Sequence, residues 1–193
     1  YALEDIARYA SQYKIETQQS AFCDKLTQLT NRHTFLEHIE EQLTINNTQK
    51  SGLLFIYLDG FKQVNDSFGH SFGDEVLIQV AERLRSIVRS NKLSFSSSSN
   101  SLEKNLARLG GDEFLVICPN TDKAGGLHIA ELVRNAVSAM RVATSGAPWH
   151  GSISVGVGDR TAEMTSYDAL IKAADKGVYA AKAAGKNCVR AVA

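Results

Sequence analysis

The acidic side chains best placed for chemistry in this sequence lie at turns. Asp112 and Glu113 directly follow the glycine pair Gly110-Gly111. Glycines lack a Cβ and let the backbone approach a ligand closely, and two adjacent carboxylates supply the hard oxygen ligands that Mg²⁺ shares with phosphates. The alternative is a solvated acidic hairpin tip, and these residues alone do not decide between the two.

A second turn carries groups suited to an anion. An apolar run ending at Leu58 is followed by Asp59-Gly60-Phe61-Lys62. Backbone amides in such a turn can face a phosphate. The glycine and lysine spacing differs from that of a Walker motif, so this sequence is not a P-loop.

Two polar residues beyond that turn could together select guanine. Asn65 and Asp74 stand on either side of Gly69-His70. A carboxylate can accept hydrogen bonds from the N1–H and the exocyclic amine of guanine, whereas adenine offers no such pair of donors. The structural alternatives are a turn asparagine and a carboxylate at the positive end of a helix.

A third group of charges closes the last helix. Lys182 and Lys186 lie on either side of Gly185. Lysines suit the negative end of a helix. The functional alternative is a pair of ammonium groups that neutralises a triphosphate.

Alternating strand and helix patterns must position these turns. Leu53 to Leu58 is a continuous apolar run without helical period, as expected of a strand buried on both faces. Two apolar runs joined at Gly110-Gly111 predict a tight hairpin. The predicted strands are 53–58, 106–109, 113–118, 153–157 and 188–192, and the predicted strong helices are 74–88, 127–140 and 167–184. A hairpin within this alternation indicates an α/β fold with a mixed sheet flanked by helices.

Three further segments give local signals. Asn31 stands where a helix N-cap is expected. The serine-rich stretch 91–105 predicts a flexible surface loop. Near the start, a heptad seam fits either a helix packed on its own domain or a short parallel coiled coil that pairs two chains. The seam residues are Leu3, Ile6, Ala10, Tyr13, Thr17 and Ser20.

Composition limits the class of protein. The 193 residues are 44% hydrophobic, which suits one ordinary domain with a real core. Basic and acidic residues each number 21, so a net charge of zero argues against nucleic acid as a partner. Because no apolar run is long enough to span a bilayer, we expect no membrane contact by this fragment. Three widely spaced cysteines indicate a reduced, cytoplasmic chain.

Taken together, the motifs resemble the GGDEF domain family, the diguanylate cyclases. The resemblance covers almost everything from Asp24 to Asn187, and it implies the palm-like fold of nucleotidyl cyclases and polymerases. The motifs that carry it are Asp24-x-Leu26-Thr27-x-Leu29-x-Asn31-Arg32, Phe61-Lys62-x-x-Asn65-Asp66-x-x-Gly69-His70-x-x-Gly73-Asp74-Glu75, Arg108-x-Gly110-Gly111-Asp112-Glu113-Phe114, Ser154-x-Gly156, and Asp175-Lys176-x-x-Tyr179-x-Ala181-Lys182-x-x-Gly185-Lys186-Asn187.

The family's reaction condenses two GTP molecules to cyclic di-GMP with release of two pyrophosphates. Each subunit holds one GTP, and the 3′-hydroxyl of one attacks the α-phosphate of the other across a two-fold axis. By position, the resemblance implies that Asn65 and Asp74 recognise guanine.

The same resemblance implies the phosphate contacts. Backbone amides from Leu58 to Lys62, that of Phe61 among them, would cradle the β- and γ-phosphates. Gly110-Gly111 would lie against the nucleotide, and Lys182 and Lys186 would neutralise its charge.

The metal site is where this sequence departs from the family pattern. The resemblance implies that Glu113, Asp112 and the Leu58 carbonyl bind Mg²⁺ or Mn²⁺, and that Asp112 assists the 3′-hydroxyl. Active members carry one more Asp two residues before Asp59, and Tyr57 holds that position here. A neutral phenol is a poor Mg²⁺ ligand. Asp59 lies roughly 6–7 Å away at about 3.3 Å per residue, too far to replace it, so we expect a weakened site.

Two functions therefore stay open, an active diguanylate cyclase and a degenerate module that binds GTP, or serves as structure, and regulates a linked domain. We expect residues 1–24 to form an N-terminal signalling helix and residues 25–193 to form the GGDEF domain. The expected partners are GTP, a second copy joined through that helix, and a sensor or cyclic di-GMP phosphodiesterase domain in the parent. Since the chain begins with Tyr1 rather than Met, we expect it to be a piece of a longer protein. We expect this piece to be cytoplasmic, whether or not the parent is anchored in the inner membrane.

Overall fold

A five-stranded mixed sheet forms the centre of the molecule. The computed structural model describes residues 2–45, 50–94, 99–143 and 148–192. The helices are α1 (Ala2–Phe22), α2 (Arg32–Ile45), α3 (Phe61–Phe68), α4 (His70–Ser90), α5 (Ser99–Lys104), α6 (Lys123–Ser138) and α7 (Tyr167–Ala183). The strands are β1 (Ser51–Leu58), β2 (Leu106–Gly110), β3 (Glu113–Pro119), β4 (Arg141–Val142), β5 (Trp149–His150), β6 (Ile153–Asp159) and β7 (Val189–Ala191). The predicted α/β class is confirmed.

The strand order is β2-β3-β1-β6-β7, and β4 pairs with β5 in a separate ribbon. Strand β1 is antiparallel to both neighbours, β3 and β6. Only the β6–β7 pair of the five-stranded sheet is parallel, and α7 supplies the crossover that a parallel pair needs. The predicted hairpin is β2–β3. This topology places the end of β1 beside both the hairpin tip and the end of α7.

Strand β1 is buried on both faces, as predicted. Leu54 and Ile56 belong to the apolar cluster shared with α4 and α6. Leu53 and Phe55 belong to the opposite cluster, which includes residues of α2 and α7. Because side chains alternate along a strand, Tyr57 continues the second set and lies on the α7 face.

The predicted helices are confirmed with shifted ends. Helix α4 begins at His70, before the predicted start, and α6 ends at Ser138. The N-cap at Asn31 is confirmed, because its side-chain oxygen accepts a hydrogen bond from the Thr34 amide at 3.0 Å. The sequence indicated only a turn over Phe61–Phe68, where the structure forms α3.

The expectation of a flexible loop over 91–105 is wrong for the described residues at its two ends. Ser99–Lys104 forms α5, and Leu93 and Asn105 are buried. The Asn105 amide oxygen lies 2.8 Å from His38 Nε2, and its nitrogen donates to the Leu93 carbonyl at 2.5 Å. These bonds fix both ends of the segment, while 95–98 lie outside the described residues.

Helix α1 turns its apolar side chains to solvent. Leu3 is 82% exposed, Ile6 65% and Tyr13 64%. Side chains this exposed do not pack on the helix's own domain, so that interpretation of the heptad seam is wrong for these residues. The seam side chain of Ser20 lies outside what the structure describes. Within the described ranges, no helix has the length and apolarity needed to cross a membrane.

Candidate functional site

The turn after β1 leads directly into α3. The first amides of a helix have no partner within it and favour an anion, and α3 begins at Phe61. The amides of Leu58 and Asp59, by contrast, donate to the carbonyls of Asp112 and Ser152 at 3.0 and 2.9 Å. Of the amides predicted to bind phosphate, those of Leu58 and Asp59 are therefore already engaged, and those at the start of α3 are left to contact an anion.

Asp59 is a structural carboxylate. It is only 8% exposed, and the hydroxyls of Ser152 and Ser154 donate to its two oxygens at 2.8 Å each. The backbone amide of Asn187 donates to the same carboxylate at 3.2 Å. Both oxygens are thus engaged, which agrees with the expectation that Asp59 does not replace a metal ligand. The bond from Asn187 also brings the loop that carries Lys186 to the turn before α3.

Asn65, one of the two predicted guanine-recognising residues, packs beside Gly73, the residue before the other, Asp74. A Cβ added at Gly73 would overlap the Asn65 side-chain oxygen and would lie 3.2 Å from the Phe61 ring. The half-buried Asn65 amide therefore packs directly on the backbone of α4, one residue before the exposed Asp74. Only glycine permits this approach, so Gly73 joins the set of site residues.

The glycine pair of the β2–β3 hairpin borders open space. Gly110 has φ 138° and Gly111 has φ 52°, a region that favours glycine. A Cβ added at either position would meet nothing within 4 Å. The strand register shifts between Arg108 and Gly110, which marks a bulge just before the tip. A ligand could therefore approach the backbone closely here, and the predicted contact with a nucleotide stays a prediction.

Arg108 fixes the hairpin to the segment that follows α1. Its Nη1 lies 3.1 Å from both carboxylate oxygens of Asp24, and its Nε and Nη2 donate to the Gly111 carbonyl at 3.0 and 2.9 Å. No role is predicted for either charged residue from the sequence, where the signal is their presence in two separate family motifs.

Tyr57 stands at the centre of the site. It lies opposite Glu113 in the β1–β3 register. The Lys182 ammonium lies 3.2 Å from the centroid of its ring, well within the range of a cation–π contact. Lys182 reaches the ring because α7 packs on the face of the sheet to which Tyr57 points. The sequence predicted both residues at the site and did not predict their contact.

The site is electrostatically crowded. Burial raises the pKa of the Tyr57 hydroxyl, and the charge of Asp112 and a hydrogen bond with it raise that pKa further, so the phenol is neutral at neutral pH. Burial also raises the pKa of Glu113, and the Asp112 charge adds to the rise while Lys182 opposes it. Two carboxylates, a neutral phenol and an ammonium therefore share one small region.

The fit to a divalent cation is limited. Among the described residues, no three His, Cys, Asp or Glu side chains come together as a metal site. Asp112 and Glu113, with the Leu58 carbonyl, offer hard oxygen ligands of the kind that suits Mg²⁺ bound partly by substrate phosphates. The residues present thus fit such a cation only in the company of a nucleotide.

The comparisons with known proteins decide the family. The model described as "Diguanylate cyclase, GGDEF domain" matches residues 21–188. The chain belongs to the GGDEF family. Members of this family serve cyclic di-GMP signalling and in general use GTP and Mg²⁺.

Two curated relatives of this GGDEF domain are longer proteins. It is 41% identical over 174 residues to "Response regulator PleD" of Caulobacter vibrioides, covering 88% of this chain and 36% of that protein. It is 34% identical over 174 residues to "Bifunctional diguanylate cyclase/cyclic di-GMP phosphodiesterase MucR" of Pseudomonas aeruginosa, covering 88% of this chain and 23% of that protein. The chain thus spans well under half of either relative.

A solved structure shares the fold. The coiled coil and GGDEF domain of DgcB from Caulobacter crescentus, in complex with c-di-GMP, matches with a TM-score of 0.80 and 23% identity. The match covers 99% of this chain and 95% of that one. The palm-like fold of the family is confirmed for this chain.

Proposed function

We propose that this GGDEF domain binds GTP through a guanine-selective pocket and acts in cyclic di-GMP signalling. The observation that carries the proposal is the packing of Asn65 on Gly73, directly beside Asp74. An amide and a carboxylate carried at neighbouring positions can match the acceptor and donor edge of guanine. Adenine would leave the carboxylate without its paired donors.

The remaining contacts follow from the elements around the pocket. The first amides of α3, at Phe61 and Lys62, face the phosphates, and Lys182 and Lys186 add positive charge from the end of α7 and the loop beyond. The backbone of Gly110-Gly111 borders open space and would lie against the nucleotide.

The reaction class we propose is condensation of two GTP to cyclic di-GMP, at a rate held low by Tyr57. Asp112 would assist the 3′-hydroxyl, and Asp112, Glu113 and the Leu58 carbonyl would hold the Mg²⁺ or Mn²⁺ that comes with GTP. That ion would supply charge stabilisation at the transferring phosphate. With a neutral phenol in place of one carboxylate, the ion is held less tightly.

A second function is favoured by the Tyr57–Lys182 contact. A site that binds GTP and turns it over slowly can report GTP occupancy to a linked domain. In this function the domain regulates a neighbour, such as a sensor or a cyclic di-GMP phosphodiesterase. MucR, by its name, joins the two catalytic activities in one protein.

The proposed assembly is a homodimer. Facing half-sites turn the meeting of two GTP molecules into a positioned reaction, which removes much of its entropic barrier. The exposed seam of α1 within residues 1–24 would pair the two chains, with residues 25–193 as the catalytic domain. We place this domain in the cytoplasm, where GTP is available.

Calorimetric titration of GTP and ATP into the wild type and Asp74→Ala tests the pocket. We expect Asp74→Ala to weaken GTP binding by about tenfold or more while changing ATP binding little. Glu75→Ala is the matched control, because it removes an exposed carboxylate one residue away. Equal losses for both nucleotides in Asp74→Ala would show that Asp74 does not select guanine.

A further inference from the structure

Lys182 occupies a defined position in the site. Its ammonium lies 3.2 Å from the centre of the Tyr57 ring, and its charge acts on Glu113. Lys182 is half-buried on α7, whose apolar face packs against the sheet. The side chain is therefore placed by a rigid helix at one end and an aromatic ring at the other.

The charges around this ammonium are mixed. Asp112 and Glu113 face the same region from the hairpin, and Asp175 of α7 and Arg32 of α2 also act on Glu113. Tyr57 itself adds no charge, because a phenol is neutral at neutral pH. The ring holds the ammonium by its electron-rich face and adds no negative charge of its own.

An aspartate at position 57 would act differently. Its charge would either pair with Lys182 or attract a divalent cation. With Tyr57 in that place, the positive charge that acts most strongly on Glu113 at the end of β1 is the ammonium of Lys182, which belongs to the protein. An ammonium fixed there also repels a divalent cation that would approach the same carboxylates.

We propose that Lys182, held on the Tyr57 ring, supplies the positive charge that GTP phosphates need, so that this domain binds GTP without a divalent cation. The inference rests on the proposed GTP-binding function. In this inference, GTP binding does not depend on metal binding. Tyr57 contributes to GTP binding by holding Lys182, in addition to removing a metal ligand.

The test is calorimetric titration of GTP in Mg²⁺ and, separately, in EDTA, using the whole chain. We expect the dissociation constants of the wild type in the two buffers to agree within about threefold. Lys182→Met should weaken binding in EDTA by about tenfold or more, whereas Lys172→Met, which removes an exposed lysine from the same helix, should not. Lys182→Gln provides a second, polar exchange if the methionine variant is poorly folded.

Tyr57→Asp separates this inference from the proposed function. We expect this variant to bind GTP in Mg²⁺ and to lose about tenfold or more in EDTA, because the new carboxylate takes the ammonium and demands a cation. A wild type that binds GTP only in Mg²⁺ would overturn the inference and leave the proposed function standing. A Lys182→Met variant that matches the wild type in EDTA would also overturn it, and a wild type that binds in neither buffer would overturn both.

Discussion

Arg108 and Asp24 join the glycine hairpin to the segment that leaves α1. The guanidinium lies 3.1 Å from both Asp24 oxygens and also donates to the carbonyl of Gly111. Asp24 follows the end of α1 at Phe22 by two residues. The Arg108–Asp24 ion pair therefore connects the base of α1 directly to the backbone that borders the proposed nucleotide pocket.

The first prediction concerns the strength of this link. Arg108→Gln removes charged hydrogen bonds in a partly buried site and should lower the free energy of unfolding by about 1.5–3 kcal/mol. Chemical denaturation measures the change. Arg89→Gln is the control, because its partner Glu103 and Arg89 itself are more than half exposed, and such pairs contribute about 1 kcal/mol at most. Equal losses in the two variants would mean that the Arg108 link is no stronger than a surface pair.

The second prediction is a pH dependence set by Asp24. Burial alone raises its pKa, but hydrogen bonds from Thr27 and the charge of Arg108 lower it overall. A carboxyl whose pKa is lowered by folding stabilises the protein above its unfolded pKa, and that contribution is lost as the pH falls through the folded pKa. Asp24→Asn should therefore be less stable than the wild type at neutral pH, and the difference in stability should shrink progressively as the pH falls below about 4. Denaturation curves across this range measure it, and a gap that stays constant would contradict the assignment.

Local patterns in the sequence predict much of the fold but few of the side-chain contacts within the site. The strand ending at Leu58 and the hairpin at Gly110-Gly111 follow from hydropathy and turn chemistry over a few residues. The Tyr57–Lys182 contact depends on which face of the sheet α7 covers, and that is fixed by tertiary packing. Helix α3 is not predicted from the sequence. It has only eight residues, which is shorter than the window over which a helical hydropathy pattern can be recognised.

The carboxylate of Asp59 gives a second case. Asp59 has a clear position in its motif, but its hydrogen-bond partners come from elsewhere in the chain: Ser154 lies in β6, and Ser152 directly precedes that strand. Strand pairing decides that approach, so the sequence alone could exclude Asp59 as a metal ligand only by distance. The structure adds the physical reason, since both its oxygens already accept hydrogen bonds.

The third prediction tests the packing at Gly73. Gly73→Ala places a methyl group against the Asn65 amide and should weaken GTP binding by about tenfold, because the amide must move from the base. Calorimetry on Gly73→Ala, Asn65→Ala and the double variant measures the coupling. In the Asn65→Ala background the methyl group should cost little further affinity. Additive losses would mean that Gly73 acts elsewhere.

The fourth prediction concerns α1. Because Ile6 lies exposed on the seam, Ile6→Glu should weaken self-association by about tenfold or more. Light scattering coupled to size exclusion over a range of protein concentrations measures it. Ser11→Glu, which lies off the seam, should leave the association constant unchanged. A wild type that stays monomeric at every concentration would contradict the proposed dimer.

The most direct test of the account is cyclic di-GMP formation by the wild type and Tyr57→Asp, in mixtures whose GTP binding with Mg²⁺ has been measured. We predict that both proteins bind GTP and that Tyr57→Asp forms product about a hundredfold faster, since a full set of carboxylates holds the ion that stabilises the transferring phosphate. Tyr57→Phe, which adds no carboxylate, should show no gain. A Tyr57→Asp protein that binds GTP and forms product no faster than the wild type would contradict the claim that Tyr57 limits this domain.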